Sequence, residues 1–337
     1  MDTVTPPGMT IGRIGLAASV LLVLPLMSGC TLIVPSYRHD LEAAHKRIDS
    51  GSQVADTRCG PIEYAISGQG PPLLVVHGAG GGFDQGLIIG APLIKAGYQV
   101  IAVSRFGYLG TPLPADASPA AQADAYSCLL NVLDIPRADV LGVSAGVPSA
   151  LQFALRHPDQ SKALVLLVPM VFAPHPEKPV PAKHPLGGSF VMNTVLRSDF
   201  LVWLAPHLSQ ATVEKAMGTP STAVEHASPE EQARVKQMID QILPVGPRRP
   251  GLLNDMKVIG SLQRYDLEQV AVPTLVIGTF DDLYGTYDAA LYTAVHIPKA
   301  RFIGYSTGGH MMVGRQDETR DAIVTFFKGQ GDAQPSP

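Results

Sequence analysis

Gly142-Val143-Ser144-Ala145-Gly146 sets a serine between two glycines, at the end of an apolar run and the start of a helix-like one. A serine hydroxyl there can act as a nucleophile if the chain turns so sharply that the side chain stands clear of both elements. Side chains two residues away would collide in such a turn, so glycine suits both places. Attack by that hydroxyl on a carbonyl needs a base, an acid to orient the base, and donors for the oxyanion formed. Three further stretches supply these residue types. They are His77-Gly78-Ala79-Gly80-Gly81-Gly82, Gly278-Thr279-Phe280-Asp281-Asp282 and Ser306-Thr307-Gly308-Gly309-His310.

Each of these stretches follows a short apolar run, and the runs alternate with helix-like segments. Strands are expected at residues 59–65, an edge strand, and at 73–77, 98–104, 138–143, 162–168, 273–278 and 300–305. Helices are expected at 37–48, 83–96, 119–133, 145–156, 288–296 and 316–328, with Ser118 capping the third and Pro119 at its first position. Strands without polar alternation are buried on both faces, which predicts an α/β fold with a mostly parallel sheet clad in helices. The rhythm breaks at residues 169–267, richer in Pro and His, where a helical insertion is expected to form a lid. The core is then 59–168 and 268–328, preceded by a tether at 30–58 and followed by a disordered tail at 329–337.

The serine turn, the glycine loop and the order Ser144, Asp281, His310 resemble the α/β-hydrolase family over residues 61–327. The resemblance implies a triad of nucleophile Ser144, acid Asp281 and base His310, with Asp282 the competing acid. It implies an oxyanion hole of the Ala79 and Ala145 N–H groups, Gly80 being the next donor, and substrate contacts from Gly78 and Gly80. His77 is the rival histidine, but the family uses its neighbours' backbone and not its ring. The loop 104–111 resembles one that walls the site and receives no catalytic role. Such a triad hydrolyses a carboxylic ester, a small molecule, with no cofactor and no metal. Two same-triad alternatives stay open, peracid formation with peroxide and carbon–carbon bond hydrolysis. A non-catalytic binding protein that kept the fold is a third.

The formal net charge of −4 gives no nucleic-acid footprint. Residues 14–27 form an apolar stretch shorter than a membrane span, ending in Met27-Ser28-Gly29-Cys30. With Arg13 before it, this resembles a bacterial lipoprotein signal. That implies cleavage after residue 29, lipidation of Cys30, and an exported protein anchored to the cell envelope membrane. An exported protein could join Cys59 and Cys128, which spacing does not establish, so two separate buried thiols are expected; Arg248 and Arg249 are expected as solvated surface charges. The lid stretches 189–196 and 199–205, with the single tryptophan Trp203, are expected to pack the lid on the core.

Overall fold

A computed structural model describes residues 33–174 and 194–331. The leader with Cys30, lid residues 175–193 and the last six residues lie outside the described part. The chain divides into two units, Met1–Ala43 and Ala44–Pro337. Helix α1 comprises residues 33–48. Among the described residues no helix is long and apolar enough to cross a membrane.

The second unit is built on an eight-stranded sheet in the order β1-β2-β4-β3-β5-β6-β7-β8. The strands are β1 (Gln53–Thr57), β2 (Gly60–Ser67), β3 (Pro72–Val76), β4 (Gln99–Val103), β5 (Ala138–Val143), β6 (Ser161–Leu167), β7 (Thr274–Thr279) and β8 (Ala300–Tyr305). β1 and β2 form an antiparallel hairpin and β2 runs antiparallel to β4, while every other pairing is parallel. The expected tether thus contains the edge strand, β1. Its polar sequence with one buried residue, Ala55, suits an edge and hides it from a search for apolar runs.

Alternate residues of β3 show why the central strands are apolar throughout. Leu74 and Val76 join one core cluster, with Leu129 of α3 (Pro119–Val132) and Val147 and Phe153 of α4 (Val147–Arg156). Leu73 and Val75 join the other, with Phe83 and Leu93 of α2 (Phe83–Lys95) and Phe326 and Phe327 on the last helix. Two helical layers therefore enclose the sheet. Ser118 accepts a hydrogen bond from the Ala121 N–H at 3.2 Å, with Pro119 in the first turn, which fixes the start of α3.

One carboxylate in this core carries a pH-dependent cost. Burial pushes the Asp139 carboxyl, on β5, from 3.8 up to about 6, against the pull of Lys162 and Arg137. A raised carboxyl pKa means the folded state holds its proton more tightly, so this contribution to stability is present at low pH and lost as pH rises from about 4 through 6. Asp139→Asn removes the charged form. Its stability advantage over wild type in urea melts is expected to be about 2 kcal/mol larger at pH 7 than at pH 4.

The insertion lies between β6 and β7 and carries helices α5 (Asp199–Ala216), α6 (Ser221–Glu225), α7 (Pro229–Asp240) and α8 (Arg249–Ile259). α5 breaks its helical backbone at Ser209. Trp203 is buried, stacked at 6.1 Å on Phe200 and tilted against His207 at 4.1 Å. The chain closes with α9 (Thr286–His296) and α10 (Gln316–Gly331). α10 continues three residues past its expected end, so part of the expected tail is helical. The two cysteines are not separate thiols: Cys59 and Cys128 form a disulfide, Cα atoms 6.1 Å apart, tying the hairpin to α3.

Candidate active site

The turn after β5 is built as the spacing of its glycines requires. A Cβ on Gly142 would meet the Ala150 methyl at 2.7 Å, and one on Gly146 would meet the His77 carbonyl oxygen at 2.4 Å. The left-handed conformation falls on Ser144 itself, with φ 52°. For a non-glycine residue this costs about 1–3 kcal/mol, held in place here by the packing around it. The side chain is thereby aimed at the chain segment after β8. There the Ser144 hydroxyl donates to His310 Nε2 at 2.7 Å, and His310 Nδ1–H donates to Asp282 Oδ2 at 2.7 Å.

The acid is therefore Asp282 and not Asp281. Backbone pairing of β7 with β8 runs one residue past the strand, since the Phe280 N–H donates to the Tyr305 carbonyl at 2.8 Å. The chain then turns, with the Asp282 N–H donating to Thr279 O at 3.3 Å. Consecutive side chains leave such a turn in different directions. Asp282 goes inward and is fully buried, accepting also from the Tyr284 N–H at 2.8 Å and from the Thr286 hydroxyl. Asp281 instead accepts from the Gly309 and Gly308 N–H groups at 2.8 and 3.1 Å. One carboxylate orients the imidazole, and its neighbour clamps the loop that carries it.

The lid supports the same loop. The Gly218 carbonyl accepts from the His310 and Leu283 N–H groups at 3.0 and 2.9 Å, and the Thr219 hydroxyl oxygen accepts from the Met311 N–H at 3.0 Å. Gly218 has φ 78°, and a Cβ there would meet Tyr284 and the His310 Cβ at 2.6 and 2.7 Å. The Tyr284 ring packs edge-on against His310, centroids 4.7 Å apart.

Across the serine lies the glycine loop. His77 is a structural group: Nε2 accepts from the Arg105 N–H at 3.0 Å, so the proton sits on Nδ1 and is donated to the Gly78 carbonyl at 2.6 Å. Burial, with Arg105 nearby, holds this imidazole well below its ordinary pKa and hence neutral. The Gly78 N–H donates to Gln85 Oε1 at 3.1 Å, and the Gly80 N–H to the Tyr108 hydroxyl at 3.2 Å. Gly80 is thus unavailable as an oxyanion donor. The Ala79 N–H has no acceptor among the described residues, and the Ala145 N–H follows Ser144 at the head of the turn. Gly78 faces Ser144 closely, since a Cβ on it would lie 3.3 Å from the serine Cβ.

Arg248 is not a surface charge. It is fully buried, with its fork on Asp84 of α2 at 3.0 and 2.7 Å and a further bond to the Gly81 carbonyl at 2.7 Å. Burial raises the Asp84 carboxyl, but Arg248 and Arg47 outweigh it and hold it below the ordinary range. Arg105, on the loop that was expected only to wall the site, grips Asp255 of α8 at 2.7 and 2.6 Å. Single charged residues among glycines and prolines carry no spacing signature, so nothing in the sequence marks these pairs.

Next to Ser144 and His310 opens a cavity of ≈ 350 Å³, lined mainly by apolar side chains including Ile88, Leu196, Val202, Ile242, Leu252 and Met256. The lid segment with Trp203 therefore both packs and lines the site, through Val202 and Ala205.

A buried acid, an imidazole and a strained serine at the ends of parallel strands, under a helical insertion, define a serine hydrolase of the Ser…Asp…His order. The chain belongs to the α/β-hydrolase fold family, whose model matches residues 71–314. It is 26% identical to a 2-hydroxy-6-oxononadienedioate/2-hydroxy-6-oxononatrienedioate hydrolase from Paraburkholderia xenovorans, over 79% of this chain and 90% of that one. It is 36% identical to the uncharacterized hydrolase YcgS of Bacillus subtilis, a match spanning 32% of this chain and only 37% of that relative's length. Among solved structures, an α/β-hydrolase fold protein from Nakamurella multipartita superposes with a TM-score of 0.63 at 27% identity, covering 83% of this chain and 99% of that one.

Proposed function

We propose that this serine hydrolase cleaves a carboxylic ester with an uncharged, apolar acyl group, and that it works as an exported lipoprotein anchored through Cys30. The observation that carries the first part is the hydrogen-bonded run Ser144–His310–Asp282 at the mouth of an apolar cavity. His310 takes the hydroxyl proton through Nε2 as Ser144 Oγ attacks the acyl carbon. The Ala79 and Ala145 N–H groups receive the oxyanion, each worth about 3 kcal/mol to the transition state. His310 then passes the proton to the leaving alkoxide. Water, deprotonated by the same imidazole, attacks the acyl carbon; the bond to Ser144 Oγ breaks, His310 returns the proton to that oxygen, and the acid is released. Asp282 stays charged and steadies the imidazolium.

The relative from Paraburkholderia xenovorans is named for dioate substrates, which are dianions at neutral pH. Such a substrate wants an uncompensated cation. Here Arg234 and Arg320, which line the cavity, are paired with Glu231 at 3.0 Å and Asp317 at 2.6 Å. Arg105 and Arg248 are paired with Asp255 and Asp84. This balance favours a neutral acyl group. The test is a series of p-nitrophenyl esters of rising chain length beside a dienone dicarboxylate. Ester turnover with an optimum at intermediate length is expected, and none of the dicarboxylate. Turnover of the dicarboxylate alone would reverse the assignment.

Support for export comes from the lipoprotein-like residues 13–30 and from the Cys59–Cys128 disulfide, a bond that persists in oxidising compartments. Membrane fractionation of wild type and Cys30→Ala tests it: the wild type is expected in the membrane fraction and the variant outside it. A wild type that fractionates as the variant does would remove the anchor.

A further inference from the structure

Ala79 N–H can serve as an oxyanion donor only if the glycine loop holds one conformation, and glycines by themselves hold none. Around it the Gly78 and Gly80 N–H groups and the Gly78 and Gly81 carbonyls are tied down. Gly78 N–H is held by Gln85, and Gly80 N–H by Tyr108 at 3.2 Å. Gly78 O accepts from His77, from Arg105 Nη2 at 3.1 Å and from the Gly81 N–H at 3.4 Å. Gly81 O accepts from Arg248 at 2.7 Å. Ala79 stands between two carbonyls gripped by two buried guanidinium groups.

Each guanidinium is neutralised across the boundary between lid and core. Arg105, on the core, pairs with Asp255 on lid helix α8. Arg248, on the lid, pairs with Asp84 on core helix α2, which also takes Arg47 at 3.1 Å. Tyr108 closes the circuit by donating to Asp255 Oδ2 at 2.5 Å while it accepts from Gly80 N–H. Arg105 also reaches the Ala145 carbonyl at 3.3 Å, so one guanidinium touches the backbone beside both donors.

We infer that Arg248 and Asp255 of the lid, with Arg105 and Tyr108 of the core, are positioning residues for the oxyanion hole. The lid is on this view part of the catalytic apparatus and not only a cover over the acyl cavity. The inference rests on the serine-hydrolase reading. It follows from geometry: a buried fork bonded to a carboxylate and to a loop carbonyl at once has no freedom to swing. Loosening either pair lets the Ala79 peptide rotate, and a displacement of about 1 Å in such a donor costs roughly 100-fold in rate.

The test compares Tyr108→Phe, Arg248→Lys and Asp255→Asn with wild type, each titrated to completion with a fluorophosphonate so that rates refer to competent sites. Arg248→Lys keeps the charge but loses the fork. Tyr108→Phe removes one hydroxyl and leaves both ion pairs, so it stays folded even if Asp255→Asn, which strands a buried guanidinium, does not. Expected is a fall in kcat per titrated site of roughly 10- to 100-fold, with KM within about twofold. Affinity for a boronic acid, whose tetrahedral adduct fills the oxyanion hole, should fall by the same factor as kcat. A lower melting temperature and a smaller titratable fraction, with kcat per site and boronate affinity unchanged in Tyr108→Phe and Arg248→Lys, would overturn the inference. A folded wild type that takes no fluorophosphonate would instead remove the hydrolase reading, and the inference with it.

Discussion

Ser144→Ala is expected to lower kcat by about 10⁶ while leaving the fold intact. The nucleophile has no substitute, because no other hydroxyl bonds His310 Nε2 among the described residues. What remains is the catalysis that the pocket and the proposed oxyanion hole would give to attack by water. The stability change should be within about 1 kcal/mol. Only one side-chain hydrogen bond is lost, and alanine inherits the left-handed backbone with no added Cβ contact. Ester turnover beside a urea melt checks both halves. A variant that keeps a tenth of the activity would mean that Ser144 is not the attacking group.

Replacing the two neighbouring aspartates should give very different results. Asp282→Asn offers His310 Nδ1 an amide where a buried carboxylate stood, which disfavours the tautomer with Nε2 free to accept the serine proton. The expected loss in kcat is about 10⁴, with little change in KM. Asp281→Asn keeps an oxygen that can accept from Gly309 N–H, and its charge never touches the imidazole. It is expected to cost about 1 kcal/mol of stability and less than tenfold in kcat. Steady-state kinetics on both variants checks the assignment. Equal losses, or a larger one for Asp281, would contradict the geometry seen at the turn.

The aspartate pair shows where reading residues in order reaches its limit. The alternation of apolar runs and helical segments located the sheet, the insertion and the three catalytic loops, because burial on both faces leaves a strong signature in composition. Which of two adjacent acids points inward depends on one extra backbone pairing, Phe280 to Tyr305, and on the turn behind it. No local composition encodes that. Strand β1 escaped because an edge strand with one buried residue looks like a linker. Arg248 was expected in solvent because charge next to proline and glycine usually lies there. Its partner Asp84 is 164 residues away in sequence, a separation that only the folded chain brings together. The pairing of the two cysteines, 69 residues apart, stayed open for the same reason.

The measurement that most directly tests the catalytic role of Ser144 is mass-spectrometric mapping of a fluorophosphonate adduct on the folded protein, with His310→Ala treated in parallel. A single adduct on Ser144, lost or strongly slowed in His310→Ala, is expected, since the phosphylating attack needs the same proton transfer as the ester reaction. No adduct on a folded wild type, or an adduct on Ser144 that forms equally fast without His310, would contradict a serine nucleophile activated by that histidine.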